Sequence, residues 1–541
     1  MTDHRALTEA DSPDGDGISR RSLLGRSLGA GAALALPGVL GPWGAGVAEA
    51  AGRSIAATPK SGGRLRVAIP GAGAQEQVHP FNGTTPADVN RRLQLWDTLF
   101  KSSSQRSGYK PHLAETVEAN STGRIWKITL RDGVMDHRGR QLTAEDAVWS
   151  LRTVNNVKGG AGGSPFANYM NLKTGIKRTG KLTFELHLDK PLGDLGAIAR
   201  DTSSVIAPKD WTSNPKRPVG TGPFMFKSFT AGQRSVFTKN PDYWDGAANV
   251  DELELITIAD GTARANALTR GQVDAVENFD FLQAKQIKSN PAVKLLSAPS
   301  EWTIPWMTRY DMAPFKDKRV RLAAKLSVDR PALTNTAYFG FAVTGNDQFG
   351  KNGPPTYYNS SLPQRRYDPE RAKSLLKQAG FADGIDLDLN LSPTCGCQGP
   401  EGVVLTAAQA WQQQAKSAGI RFTIKQTTNL DQWNVLKFPF SATWWSPGVP
   451  FVLNWFTTTS TYNEGWKNAG WDRKLQKALA TQDPKQAKAQ WDDIQELFYN
   501  ESGHIIWGHY NLIDGLSKKV MGAKRNSWPL GTYDFKSYWL A

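Results

Sequence analysis

The side chains with the greatest chemical capacity in this chain are two cysteines and a group of tryptophans. Cys395 and Cys397 are the only thiols and stand two positions apart. In an oxidising compartment such a pair forms a disulfide, although the Cys-Gly-Cys loop would be strained. Paired thiolates also suit a soft metal such as Cu(I) or Zn, and two inert thiols are the third reading. The tryptophans gather in the second half. Trp302 and Trp306 flank Thr303-Ile304-Pro305, with Arg309 three residues on. Trp444-Trp445-Ser446-Pro447-Gly448 forms a second cluster, and Trp455 and Trp466 lie beyond it. A buried ligand site needs flat apolar walls and a few fixed polar groups. Indole supplies a wide face and one N–H donor, and Arg309 offers a fork for an anionic group. Any single one of these tryptophans could equally fill a core.

Signatures of catalysis are sparse. There is no His-Glu-x-x-His helix and no Gly-x-x-x-x-Gly-Lys-Ser/Thr phosphate loop. One Gly-x-Ser-x-Gly occurs at Gly25–Gly29, inside an N-terminal stretch that reads as a leader. Acids are plentiful, so a secreted hydrolase with two carboxylates stays open as the reading from another class. The seven histidines are scattered, and His504 and His509 are five apart, off a common helical face. No cofactor is implied.

These residues need a frame, and its elements are legible. Leu65, Val67 and Ile69 alternate as in a half-buried strand, as do Trp126, Ile128 and Leu130. Leu182, Phe184, Leu186 and Leu188 repeat the pattern, and so do Ile385, Leu387, Leu389 and Leu391. Thr143 is placed to cap a helix lined by Ala144, Ala147, Val148 and Leu151. Asp368-Pro369 opens another, with Ala372, Leu375, Leu376 and Ala379 on one face and Gly380 at its end. Asp483-Pro484 opens a third, predicted to bury Ala487, Trp491, Ile494 and Leu497. Strands alternating with helices imply α/β layers. Gly159–Ser164 reads as a surface loop.

The chain has 541 residues, enough for more than one domain, and a formal net charge of +15. Its first fifty residues carry four Arg against six acids, so the remainder holds +17. The basic residues are scattered, which describes a solvated surface better than a nucleic-acid face. Ser19-Arg20-Arg21-Ser22-Leu23-Leu24 looks like a twin-arginine export signal, followed by a weakly apolar run and Ala48-Glu49-Ala50 as a cleavage pattern. The run is too short for a membrane anchor, which needs about 20 apolar residues. No Cys lies near the cut for a lipid anchor. The expectation is a soluble exported protein, periplasmic or extracellular, not a lipoprotein.

Five motifs then fall in a telling order. Leu130-Arg131-Asp132-Gly133-Val134 precedes Leu142–Val148; Arg217-Pro218-Val219-Gly220-Thr221-Gly222-Pro223-Phe224 follows; Lys239-Asn240-Pro241-Asp242-Tyr243-Trp244 and Ala267–Asp274 come next. Alone, Gly-Thr-Gly-Pro reads as a tight turn, because Gly tolerates positive φ and Pro fixes φ. Together, and with Pro314–Arg321 and Tyr367–Ala372, the set resembles the family 5 extracellular solute-binding proteins, the peptide- and nickel-type receptors of ABC importers. The resemblance spans roughly residues 61 to 541. It implies a two-lobed periplasmic-binding-protein-like α/β fold of the large type II class, with a hinge and an interlobe cleft. The implied division is a signal peptide at 1–50, a linker at 51–60, lobe I at 61–298 and 509–541 with a subdomain at about 78–205, and lobe II at 299–508.

The resemblance also implies a non-enzymatic monomer that delivers its ligand to a membrane permease. It places an aromatic at the cleft mouth near Trp444 and Trp445. Peptide-binding relatives often carry an acid just after that aromatic, and some dipeptide receptors an Arg after the strand matching Ile385–Leu391. Here Ser446-Pro447-Gly448-Val449-Pro450 holds no acid, and Ser392–Gln398 holds the cysteine pair and no Arg. The expected ligand therefore lacks buried charged ends. A peptide or peptide-like molecule comes first, and an oligosaccharide or other neutral solute second.

Overall fold

The computed structural model describes residues 5–6 and 58–541, apart from 72, 84, 104–107, 155–164, 199–203, 212–216, 393–401, 428–433, 446–447, 461 and 525–533. The twin-arginine stretch, the Gly159–Ser164 loop, Cys395, Cys397 and Ser446 all lie outside the described residues. No helix among the described residues is long and apolar enough to cross a membrane.

The alternation at Leu65, Val67 and Ile69 forms a strand, Arg64–Ile69, at the heart of an eight-stranded sheet. It runs parallel to Glu252–Thr257 on one side and to Ala275–Val276 on the other. Leu65, Val67 and Ile69 join one core with Trp96 and Phe224, while Ala68 on the opposite face joins another. Both faces are thus covered, as expected where helices flank a parallel pair. Val293–Pro299 and Gly508–Ser517 close one side as an antiparallel pair, with Ser297 opposite Ile513. A second sheet runs in the order Ile420–Gln426, Ile385–Leu391, Phe440–Ala442, Trp306–Thr308, His504–Ile505. The chain leaves the first sheet after Pro299 and enters the second at Trp306. It returns between Ile505 and Gly508. These are the two sheets of a two-lobed α/β fold.

A third, antiparallel sheet carries Ala114–Ala119, Ile125–Leu130, Thr183–His187 and Ile176–Arg178, with Arg5–Ala6 at its edge. Trp126, Ile128 and Leu130 all point into its core. Helix Ala144–Thr153 starts where Thr143 N donates to the Asp146 carboxylate at 2.9 Å. Helix Pro369–Gln378 starts where Asp368 accepts from Arg371 N at 3.0 Å, and Gly380 follows at φ +95°. Helix Pro484–Glu501 buries Ala487, Trp491, Ile494 and Phe498, with Leu497 only partly covered. The expected Leu497 is therefore replaced by its neighbour. Phe498 lies at i+7 from Trp491, about two turns on, whereas i+6 has rotated off that face.

The Gly-Thr-Gly-Pro segment differs from its expected role. Neither Gly220 nor Gly222 has positive φ. Both are needed for close approach instead: a Cβ on Gly220 would stand 1.8 Å from Leu95 O, and one on Gly222 2.4 Å from Gln94 O. Thr221 and the Tyr243-Trp244 motif meet on one buried carboxylate. Asp97 accepts from Tyr243 OH at 2.7 Å, Trp244 Nε1 at 2.9 Å and Thr221 Oγ1 at 3.0 Å. Burial raises its carboxyl, and these three donors oppose the rise.

One buried amine gives the fold a pH signature. Lys325 Nζ donates to Tyr499 O at 3.0 Å and Ser502 Oγ at 3.1 Å, at the end of helix Pro484–Glu501. Burial pulls its pKa down to about 7. Between that value and the unfolded value of about 10.4, the unfolded chain holds a proton the folded chain has released. Stability from this group therefore rises with pH over that window. Wild type should gain on Lys325→Met from pH 7 to 10, by at most about 1.4 kcal/mol per pH unit. Guanidinium unfolding at each pH reads the difference, and a flat difference would show that Lys325 stays charged.

Candidate functional site

The predicted aromatic site divides into two environments. The segment at Trp444 and Trp445 is extended, so successive side chains point to opposite sides. Trp445 N donates to Thr303 O at 2.9 Å, which ties this segment to the one that leaves the first sheet. Trp444 is half-buried and stacks on Trp302, with ring centroids 4.9 Å apart and planes at 30°. Among the described residues neither indole N–H in this stack has a hydrogen-bond partner. Trp445 turns the other way. It is 7% exposed and packs among Phe349, Phe456, Tyr462 and His504.

Two other expected site residues are occupied structurally. Trp306 is fully buried and stacks between Trp411 at 5.4 Å and Trp507 at 6.0 Å. It presents no surface to a ligand in this conformation. Arg309 was expected to hold an anionic group, but its fork faces Asp311 at 2.6 and 2.9 Å. Its remaining nitrogen, Nη1, donates to Leu436 O. The partner that neutralises it sits only two residues on. Trp466 is likewise buried and stacks on Tyr310 at 5.1 Å.

An aromatic path leads from Trp445 to a cavity. Tyr462 lies 5.2 Å from the Trp445 ring and 6.0 Å from the Trp455 ring. Trp455 lines a cavity of about 560 Å³, within the ordinary range for a small-ligand site. One wall is the third sheet's body, through Asn168, Tyr169 and Lys190. The other is made by the end of helix Val449–Asn454, the loop that follows, and Asp472 and Gln476 on helix Ala469–Ala480. The same helix fixes both acidic and amide groups one turn apart, at i and i+4. Outside the cavity the walls touch directly: Gly193 N donates to Leu479 O at 2.6 Å, and Gln482 Nε2 to Asn120 O at 3.0 Å. A Cβ at Gly193 would stand 2.1 Å from Thr481 O, so this contact requires a glycine.

Of the cavity residues, sequence reading had singled out Trp455 alone. Lys190 and Asp472 carry its charge, and the remaining polar groups are amides and hydroxyls. The usable signal for Lys190 was its place at the end of the Leu182–Leu188 alternation, just before Pro191. Nothing local marked Asn168 or Gln476. Among the described residues no group of three or more His, Cys, Asp or Glu could hold a metal ion.

The sequence model described as "Bacterial extracellular solute-binding proteins, family 5 Middle" matches residues 108–468. Di/tripeptide-binding protein 2 of Pseudomonas aeruginosa is 26% identical over 526 residues, covering 90% of this chain and 96% of that one. Heme-binding protein A of Haemophilus influenzae is 27% identical over 335 residues, 57% of this chain and 60% of that one. Among solved structures, the ABC transporter substrate binding protein CtaP of Listeria monocytogenes superposes with a TM-score of 0.77 at 19% identity, covering 89% of this chain and all of that one. The periplasmic binding protein DppA of Helicobacter pylori, in complex with the peptide STSA, gives 0.71 at 21% identity over 89% and 99%. The chain belongs to the family 5 extracellular solute-binding proteins, the non-enzymatic substrate-binding components of ABC importers.

Proposed function

We propose that this receptor captures a peptide or peptide-like ligand in the Trp455 cavity and delivers it to a membrane permease. The observation that carries the reading is a cavity of about 560 Å³ walled by residues 168–190 on one side and residues 454–476 on the other. Closing such walls around a ligand gives the closed state its higher affinity. The lining chemistry agrees. Asn168, Asn454 and Gln476 each offer a carbonyl and an amide, which match a peptide backbone's own acceptor and donor. Trp455 and Tyr169 offer apolar faces for side chains. Several relatives are named for peptides they bind, including di- and tripeptides and oligopeptides. The stacked Trp302–Trp444 pair is the second proposed contact, because its indole donors are unpartnered among the described residues. The same amides and indole faces would also take an oligosaccharide, which is the second reading.

The two sheet crossings support a division into lobe I at 61–298 and 509–541 and lobe II at 299–508, with the hinge where the chain crosses. In the same reading the chain is exported by the twin-arginine leader read at Ser19–Leu24, which ends near Ala50, and works as a monomer without a lipid anchor. Native mass spectrometry of protein purified from its own host tests the central claim. Wild type should retain a mass that fragments as a peptide. Trp455→Ala should lose it while its melting temperature stays within a few degrees. Retention of a glycan would turn the reading to the oligosaccharide, and unchanged retention by Trp455→Ala would move the site elsewhere.

A further inference from the structure

We propose that a lysine-rich face at one side of the first sheet rests against an anionic phospholipid membrane and holds the receptor beside its permease. Two stretches of chain form the face. Residues 281–300 carry Lys285, Lys288 and Lys294 and no acid. Residues 515–533 carry Lys518 and Lys519 side by side, and again no acid. The fold brings the two stretches together. Strand Val293–Pro299 pairs with Gly508–Ser517, which sets Val293 opposite Ser517 and Lys294 opposite Leu516. Just past that pairing, Lys518 N donates to Ala292 O at 3.1 Å. Helix Phe281–Ile287 leads into the strand through Lys288, with Asn290 N donating to Ile287 O at 2.9 Å.

All five lysines are exposed, and none makes an ion pair among the described residues. Lys285 Nζ lies 5.0 Å from the Phe339 ring centroid, a contact that leaves its charge unbalanced. Cations elsewhere on the same sheet are matched: Lys227 meets Glu252, and Lys239 meets Asp251 at 2.7 Å. The acids beside the face offer it nothing. Asp274, whose carbonyl accepts from Ser517 N at 2.8 Å, is occupied by Arg66, and Asp514 is buried.

Unbalanced cations on one face create a positive potential that draws in a negative surface. A lysine ammonium is a hydrated point charge without the fork of arginine, so these five read charge density rather than a fixed geometry. Mobile lipid headgroups suit that better than the acidic side chains of one protein. Leu282 adds an independent observation. It is 47% exposed and, with Met135, one of the two large apolar side chains so exposed among the described residues. It stands three residues before Lys285 on the helix, on the same face. An apolar tip among lysines is the composition of an interfacial membrane contact. All six residues belong to lobe I in the proposed division, so contact with the bilayer leaves lobe II free to close. In the reading without a lipid anchor, this face keeps the receptor near the permease.

The test mixes the exported protein with sedimentable vesicles of phosphatidylcholine alone, or of phosphatidylcholine and anionic phosphatidylglycerol in equal parts. The bound fraction is measured at low salt and at 1 M salt. Wild type should pellet with the anionic vesicles at low salt only, because at 1 M the screening length falls to about 3 Å. The triple variant Lys288→Gln, Lys518→Gln, Lys519→Gln should weaken that binding by about tenfold or more. The control triple Lys110→Gln, Lys173→Gln, Lys318→Gln removes the same charge from exposed lysines elsewhere and should bind as wild type does. Melting temperatures check that both triples fold. Should the first unfold, Lys288→Gln and Lys519→Gln singly should each lose about fivefold, against no loss for Lys173→Gln. Equal losses in the two triples would show that net charge alone drives binding and would overturn the face. So would equal binding to neutral vesicles. No binding to either vesicle would overturn the lipid contact and turn the face toward an acidic protein surface. Peptide capture is read separately by native mass spectrometry and stands or falls independently.

Discussion

Asp347→Ala should destabilise the protein by about 3–5 kcal/mol, the magnitude expected when one partner of a buried ion pair is removed. The Asp347 side chain is fully buried and serves three segments at once. Arg330 Nη2 reaches both of its oxygens at 2.8 Å, Arg365 Nε lies 2.7 Å from one, and Ile506 N donates to the other at 3.0 Å. Arg330 opens helix Arg330–Tyr338, and Ile506 lies on the return crossing from the second sheet. Removing the carboxylate strands two guanidinium groups, one of them fully buried, with no route to water. Asp347 also sits at φ +53°, a conformation that Asp and Asn adopt more readily than other side chains. Asp347→Asn should therefore fall between wild type and Asp347→Ala. Guanidinium unfolding reads all three, with an unchanged m-value. The contrast is Asp311→Ala, which breaks the Arg309 pair at a half-exposed carboxylate and should cost about 0–1 kcal/mol. Equal losses at the two sites would show that burial does not set the cost.

What the sequence could reveal was set by range. Trp126, Ile128 and Leu130 are visible as a strand because period-two alternation is local, and all three are buried in one core. Asp368 and Pro369 announce a helix start because capping is decided within four residues. The cavity has no such local trace. It joins residues 168–190 to residues 454–476, and neither stretch carries a periodicity that names its partner. The Trp444–Trp445 pair shows the limit most sharply. Composition marked both as site candidates, but an extended chain sends neighbours to opposite faces, so one stacks on Trp302 and the other enters the core. Arg309 failed for a nearer reason: Asp311, two positions on, was already in view as its partner.

Gly220→Ala is expected to cost about 3 kcal/mol or more, at the upper end for overpacking, because the clash is with backbone. The added methyl would stand 1.8 Å from Leu95 O and 2.8 Å from Trp96 Cδ1. Neither neighbour is free to retreat. Leu95 O accepts from Gly222 N at 2.9 Å, and Trp96 Nε1 donates to Val219 O at 2.8 Å. The loop is held from its other side by His137. Its backbone N donates to Gly220 O at 2.9 Å, and its Nδ1 accepts from Gly220 N at 3.2 Å. An accepting Nδ1 leaves Nε2 to carry the ring proton, and Nε2 lies 3.1 Å from Gly222 O. Burial lowers the His137 pKa to about 4, so the neutral ring that this arrangement needs persists at neutral pH. The useful control is Gly246→Ala. Gly246 has φ +84° and nothing within 4 Å of its Cβ position, so its loss should reflect backbone strain alone, about 1 kcal/mol. Unfolding midpoints of the two variants separate the mechanisms. If Gly220→Ala lost no more than Gly246→Ala, the Gly-Thr-Gly-Pro loop would be free to shift, and close packing would not be why glycine stands there.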